Sequence, residues 1–325
     1  MKKLLSLVLA VAMLLSLCAC GSKEATSNPG ATDDESGIAP LNITFNVAVS
    51  GEMYDAMTNK FAERCKELSD GAITVQTVAA GTLGSAREVV EACQLNSVKL
   101  RELIKSKELI VAPGAFSPLC AKMIQKVGFN CVYMSGYGVA AYRLGFPDVG
   151  LMTMNESLDT ARAIAQACDL PVIADVDNGY GNVINVKRTV EEYELAGVAG
   201  IQLEDQSWPK RCGHMEGKVL ISAEEMVQKI RIAVASRKDP DFVIVARTDA
   251  NTVLGFDEAI RRSNLYAEAG ADIIFFESPT SDEQVEKIPD LVHAPVMLNM
   301  SEGAKTPLRN NAEIRSLGYK LVIWP

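Results

Sequence analysis

The amino-acid sequence predicts an α/β protein: a (β/α)₈ barrel of parallel strands over residues 99–325, preceded by a small α/β segment over residues 41–98. Three observations carry this expectation. Apolar runs of strand length recur eight times after residue 99, in strict alternation with amphipathic helical stretches. Polar and charged residues gather where those runs end, which is where a parallel barrel builds its site. The alternative, an open doubly wound sheet, lacks its glycine-rich dinucleotide fingerprint after the first run.

Taken in order, the chain opens as an export signal. Lys2 and Lys3 precede an apolar run from Leu4 to Leu17, too short to span a bilayer comfortably. The run ends in Leu17-Cys18-Ala19-Cys20, the small-residue pattern of a lipoprotein signal, with Cys20 expected to carry the lipid. Residues 1–20 are thus a predicted signal peptide. Residues 21–40, rich in Ser, Gly, Asp and Glu, are a predicted flexible linker to a membrane anchor outside the cytoplasm.

Residues 41–98 read strand, helix, strand, helix, through "LNITFNVAVS", "YDAMTNKFAERCKELS", "AITVQTVAAG" and "SAREVVEACQ". The barrel strands are then expected at "LIVAPGAF", "CVYMSGY", "PVIADVD", "GIQLEDQ", "FVIVARTDA", "DIIFFES", "PVMLNMSE" and "YKLVIWP". Between them Val183, Val186, Val190 and Tyr193 recur at helical spacing, and Gly197 marks a stop. Ser222 and Glu225 spell a capping box ahead of "MVQKIRIAVAS". The sequence reaches Pro325 at the end of the eighth strand, so a barrel truncated before its closing helix is expected.

Composition narrows the function. A net charge of −9, with no long basic run, excludes a nucleic-acid surface. Of the 8 cysteines, all but Cys18 and Cys20 are scattered singly, which suits reduced core residues better than a disulfide framework.

The residues at the strand ends suggest specific chemistry: Ser135, Asp175 and Asp177, Glu204 and Asp205, Arg247 and Asp249, Glu277, Asn299 and Ser301. Asp175, Asp177 and Glu204 offer hard oxygen ligands suited to Mg²⁺, with Mn²⁺ as a second choice. Zinc is disfavoured, since the chain has only 2 histidines. Arg247 can grip a carboxylate bidentately, and the backbone N–H groups of "SGYG" can hold a second oxyanion. An anionic oxo- or hydroxy-acid chelated to magnesium fits this set. In "PKRCGH", Cys212 lies between Lys210 and Arg211 on one side and His214 on the other, residue types that lower a thiol pKa toward neutrality. Gly213 and Gly217 suggest a mobile lid, and Cys212 on that lid is a candidate proton donor.

These motifs resemble the isocitrate lyase/phosphoenolpyruvate mutase superfamily: "PKRCGH", "VDNGYG" preceded by Asp175, "QLEDQ", "ARTDA", "FFESP" and "LNMSEGAKTP", in that order. The resemblance is closest to its 2-methylisocitrate lyase and 2,3-dimethylmalate lyase branches. It implies a (β/α)₈ barrel in which Asp175 binds Mg²⁺ directly while Asp148, Asp177 and Glu204 hold the metal's waters. Ser135, Gly136 and Tyr137, helped by Arg247, would bind the carboxylate of an oxo-acid product. Glu277, Asn299 and Ser301, with Gly213 and His214, would contact the second product's carboxylate. Cys212 would protonate the departing carbanion, with Lys210 and His214 beside it, and Tyr133 would be a candidate base for the substrate hydroxyl. The implied reaction splits a 2-alkylmalate-type di- or tricarboxylic acid into pyruvate and an acid such as succinate or propionate. A carboxyphosphonoenolpyruvate or phosphoenolpyruvate mutase-like activity is the alternative. The resemblance also implies a cytoplasmic homotetramer with helices beyond the last strand.

Upstream, "GTLGSAREVVEACQLNSV" resembles the solute-binding proteins of tripartite (TRAP-type) transporters, which makes an extracytoplasmic binding lipoprotein a second alternative. An export signal joined to a cytoplasmic type of enzyme leads to the expectation of a chimera with its junction near residue 98.

Overall fold

A computed structural model of the chain describes residues 41–46, 52–69, 71, 73–78 and 86–325. The predicted signal peptide with Cys20 and the linker lie outside the described residues. The chain divides into two compact units, residues 1–83 and 84–325.

In the first unit, β1 (Leu41–Asn46) and β2 (Ile73–Val78) pair in parallel from Leu41↔Ile73 to Asn46↔Val78. A helix, Glu52–Leu68, connects them, as a parallel crossover requires.

The second unit begins with a helix, Ala86–Lys105, and continues into a closed barrel of eight parallel strands. These are β3 (Ile110–Ala115), β4 (Val132–Met134), β5 (Val172–Asp175), β6 (Gly200–Glu204), β7 (Val243–Thr248), β8 (Ile273–Phe276), β9 (Val296–Asn299) and β10 (Leu321–Trp324). They follow one another in chain order, and β10 closes on β3 from Leu321↔Ile110 to Trp324↔Pro113. Each strand matches one of the apolar runs. Strands β5 to β9 are buried along their whole length because both faces are covered, by helices outside and by side chains inside.

Alternation along each strand sorts residues into two cores. On β7, Ile244 and Ala246 face the outer helices, while Val243 and Val245 fill the barrel together with Ile173, Phe275, Met297 and Ile323. Continuing that inward series by two residues reaches Asp175, Arg247, Glu277 and Asn299. The period that packs the barrel therefore also delivers the charges to its carboxyl end.

The helix Ala86–Lys105 runs unbroken through residues 98 and 99, where the sequence changes character. Leu100 is fully buried in the inner core against the first residues of the strands, among them Ile110, Val243, Ile273 and Leu321. Leu103 and Ile104 pack against the same cluster. Arg101 pairs with Asp272 at 2.6 Å and donates to Asp241 O at 3.0 Å. This helix stoppers the amino-terminal end of the barrel. The helix thus belongs to the same compact unit as the barrel.

Outer helices end as their sequences foretell, with one exception. Gly197 follows the helix Val183–Leu195 at φ +92°, a conformation that suits glycine. At Ser222 the hydroxyl accepts Glu225 N–H, but the reciprocal bond of the expected capping box is not formed. Among the described residues no helix is long and apolar enough to cross a membrane, and Cys65, Cys120, Cys131, Cys168 and Cys212 are free thiols.

Candidate active site

A cavity of about 190 Å³ opens at the carboxyl end of the barrel. It is lined by Tyr133, Ser135, Tyr137, Asp148, Asp175, Cys212, Gly213, His214, Arg247, Phe275, Glu277, Asn299, Ser301, Ile323 and Pro325. Twelve of these are residues that the sequence nominates. Gly136, Asp177, Glu204 and Lys210 stand just behind, and each touches a residue that lines the cavity.

Asp175 ends β5 and is buried. Its Oδ1 accepts Asp177 N–H at 3.0 Å and the Gln202 amide at 3.3 Å, while its Oδ2 takes no hydrogen bond. A Cβ on Gly136 would fall 2.8 Å from that Oδ2, so only glycine lets the chain pass so close. The Ser135 hydroxyl accepts Gly138 N–H at 3.2 Å and starts a short helical turn, Gly136–Val139. The N–H groups of Gly136 and Tyr137 at the start of that turn have no acceptor within it. Tyr137 keeps an exposed ring at the cavity mouth. Asp177 holds φ +50°, a costly conformation for an aspartate, and its carboxylate lies 2.7 Å from Lys210 Nζ. The same ammonium pairs with Asp148. Burial pulls Lys210 down, but Asp177, Glu204, Asp148 and Asp175 outweigh it and hold the group firmly protonated.

Three expectations are corrected here. Arg247 does not keep its fork for a substrate: Nε and Nη2 bind Asp249 at 2.9 and 3.0 Å. Nη1 is left over, 3.4 Å from Glu204, and the guanidinium lies 5.2 Å above the Phe275 ring. Tyr133 is a donor rather than a base. Its hydroxyl bonds Gln202 Oε1 at 2.5 Å, and burial, reinforced by Asp175, pushes the phenol well above its ordinary pKa. The Cys212 thiol is raised, not lowered. Burial is the main cause, and Lys210, its neighbour in sequence, spends its charge on Asp148 and Asp177 instead.

The 206–218 loop, expected from its glycines to be a lid, is braced by its own side chains. The Gln206 side chain makes two hydrogen bonds of 2.9 Å with the Arg211 backbone. Lys218, buried, donates to Gly213 O and lies 3.1 Å from Asp249. Gly213 is needed for close approach: a Cβ there would collide with the Arg247 guanidinium and lie 2.8 Å from Glu277 Cδ. Asp205, nominated from its place after β6, serves the scaffold instead, accepting from Thr248, Asp249 N, Arg262 and Tyr266.

With this geometry in place, comparison with known proteins is informative. The family described as phosphoenolpyruvate phosphomutase matches residues 100–325. The chain belongs to the isocitrate lyase/phosphoenolpyruvate mutase family. It is 54% identical over 229 residues to a 2,3-dimethylmalate lyase of Eubacterium barkeri, covering 70% of this chain and 79% of that one. A 2-methylisocitrate lyase of Aeropyrum pernix is 48% identical over 226 residues, 70% of this chain and 72% of its own length. Among solved structures, oxaloacetate acetylhydrolase with the inhibitor 3,3-difluorooxalacetate gives a TM-score of 0.69 at 40% identity, over 71% of this chain and 80% of that one. Phosphonopyruvate hydrolase with oxalate and Mg²⁺ gives 0.63 at 35% identity, over 70% and 79%. By resemblance to the family's lyases the protein is a carbon–carbon lyase.

The lyase also uses residues that the sequence reading missed. Gln202 links Tyr133 to Asp175. Lys218 anchors the loop, and Ser278 bonds both Glu277 and His214. Gln202 had a detectable signal, since it lies two residues before Glu204 on the same inward face of β6.

The acidic set fits Mg²⁺. Among the described residues no three acidic, histidine or cysteine side chains converge to hold a metal by themselves. Mg²⁺ commonly takes one or two carboxylate ligands and keeps several waters. Acceptors for such waters are present, because both oxygens of buried Glu204 lack a hydrogen-bond partner, as does Asp175 Oδ2. Burial, partly offset by Lys210, raises the Asp177 carboxyl to about 6, and Asp175 and Glu204 are raised as well, again by burial first. A raised carboxyl keeps its proton longer in the folded state. Without metal, Asp177 therefore loses its contribution to stability as pH climbs from about 4 through about 6, and Asp175 and Glu204 act in the same direction. Mg²⁺ must displace the same protons, so its stabilisation should be larger at about pH 8 than at about pH 5. Thermal melts with and without Mg²⁺ test this, and equal shifts at both pH values would remove the carboxylate set from consideration.

Proposed function

We propose that the protein is a Mg²⁺-dependent lyase that cleaves a 2-alkylmalate-type acid, 2,3-dimethylmalate or 2-methylisocitrate, to pyruvate and propionate or succinate. The observation that supports this most directly is Cys212: a thiol kept protonated by its raised pKa, lining the same cavity as Asp175, Arg247 and Glu277.

Asp175 would bind the cation directly, and Asp148, Asp177 and Glu204 would hold its waters. When bound, the cation supplies Lewis-acid stabilisation for the charge that develops on the oxo-acid oxygen. Gly136 and Tyr137 N–H groups and the spare Nη1 of Arg247 receive the oxo-acid carboxylate. Asn299 and Ser301 orient the second carboxylate. A base takes the proton of the C2 hydroxyl, the O–H electron pair becomes the C2=O bond of pyruvate, and as C2–C3 breaks its pair passes to C3 and is delocalised into that carboxylate. Cys212 then delivers its proton to C3. A mutase that moves a phosphoryl group has no carbanion to quench, so a protonated thiol in the cavity favours the lyase over the mutase alternative.

The test is direct. The purified chain is incubated with each malate-type acid and with phosphonopyruvate, in Mg²⁺ or in excess chelator. Pyruvate release from one of the first two, abolished by chelator, is expected. Conversion of phosphonopyruvate to phosphoenolpyruvate, with neither acid cleaved, would install the mutase reading.

A further inference from the structure

Ser278 follows Glu277 at the end of β8. It is fully buried and holds φ +53°. Glycine adopts that conformation freely, whereas serine carries a Cβ into it at a cost. What serine adds is a hydroxyl, and the hydroxyl sits among three partners. Its Oγ lies 2.8 Å from Glu277 Oε1, 3.1 Å from His214 Nδ1 and 3.4 Å from Gly213 O.

We infer that Ser278 is a positioning residue that locks His214 as the neutral Nδ1–H tautomer, with Nε2 presented as an acceptor beside Glu277. The direction follows from counting protons. A hydroxyl has one hydrogen to give, and Glu277 Oε1 at 2.8 Å is the acceptor within normal O–H···O range. Towards His214 the oxygen can then only accept, so Nδ1 must carry the hydrogen. On the far side of the ring Nε2 lies 3.4 Å from Asn299 Nδ2 and 3.8 Å from Glu277 Oε1. The ring is neutral because burial, helped by Arg247 and Lys218, outweighs the pull of Glu277 and Asp249 and lowers its pKa. His214 thus receives hydrogen bonds at Nε2 and supplies no proton to the pocket, which leaves that task to Cys212 two residues earlier. By accepting from Nδ1 the same hydroxyl ties the His214 ring to the end of β8.

This deepens the lyase reading but is testable apart from it. The chain has only 2 histidines, and His293 is exposed, so ¹⁵N imidazole resonances can be assigned simply. At mildly alkaline pH, His214 should show a protonated Nδ1 and a bare Nε2. Ser278→Ala keeps the Cβ and removes only the hydroxyl. It should shift His214 towards the Nε2–H tautomer and lower kcat by up to about 10²-fold, as a misplaced site would. Ser278→Gly relieves the backbone and should still lose the tautomer, which separates the hydroxyl's role from folding. A wild-type spectrum with Nε2–H, or an unchanged tautomer in both variants, overturns the inference. Because the spectra do not depend on turnover, a failure of the lyase assay leaves this decision intact.

Discussion

A Cys212→Ser enzyme should turn over about 10²–10⁴-fold more slowly than the wild type, the range that general acid catalysis contributes. Serine is nearly the same size, and the backbone bond from residue 212 to Asp148 O, at 3.0 Å, does not depend on the side chain. Packing should therefore survive. A hydroxyl is a far weaker acid than a thiol, even one raised by burial, so proton delivery to C3 should fail. Calorimetry with oxalate and Mg²⁺, which contact other residues in the proposed mechanism, should be close to wild type. Retained turnover would return Cys212 to the role of a gap-filling residue. Lost oxalate binding would show that the thiol supports the pocket rather than the chemistry.

Asp249→Asn should cost roughly 3–5 kcal/mol of stability, the usual penalty for removing one partner of a buried ion pair. Asp249 is fully buried and takes both arms of the Arg247 fork and Lys218 Nζ at 3.1 Å. Burial alone would raise its pKa, but Arg247 and Lys218 outweigh it and leave the carboxyl below its ordinary value. A depressed carboxyl contributes stability above its unfolded pKa of about 3.9 and loses it as pH falls further. Urea melts should thus show the full gap between wild type and variant near neutrality, shrinking as pH drops below about 4. A gap that stayed constant down to low pH would mean that lost shape, not lost charge, is responsible.

The barrel was legible because its signal is redundant: eight apolar runs, each buried on both sides, leave little room for another topology. The site was legible for a related reason. Charged residues that end an otherwise apolar strand, such as Asp175 and Arg247, stand out against their neighbours. What the sequence obscured is which charge answers which. Lys210 lies two residues from the Cys212 thiol in the chain yet turns to Asp148 and Asp177, and burial moves the thiol's pKa opposite to the expectation. Asp249 lies just beyond β7, two residues after Arg247, and their mutual pairing hides behind the habit of reading an arginine as a substrate clamp. Ser278 is a short polar residue before a proline, a pattern that ordinarily signals only a turn.

The helix that ends at Lys105 sets the traffic of the reaction. With Leu100 seated in the amino-terminal end of the barrel, that end is filled by side chains, and the cavity opens at the carboxyl end. One substrate enters through that opening and two products must leave by it. The product nearer the opening has the shorter path out, and the one deeper in the barrel must travel past the position it held.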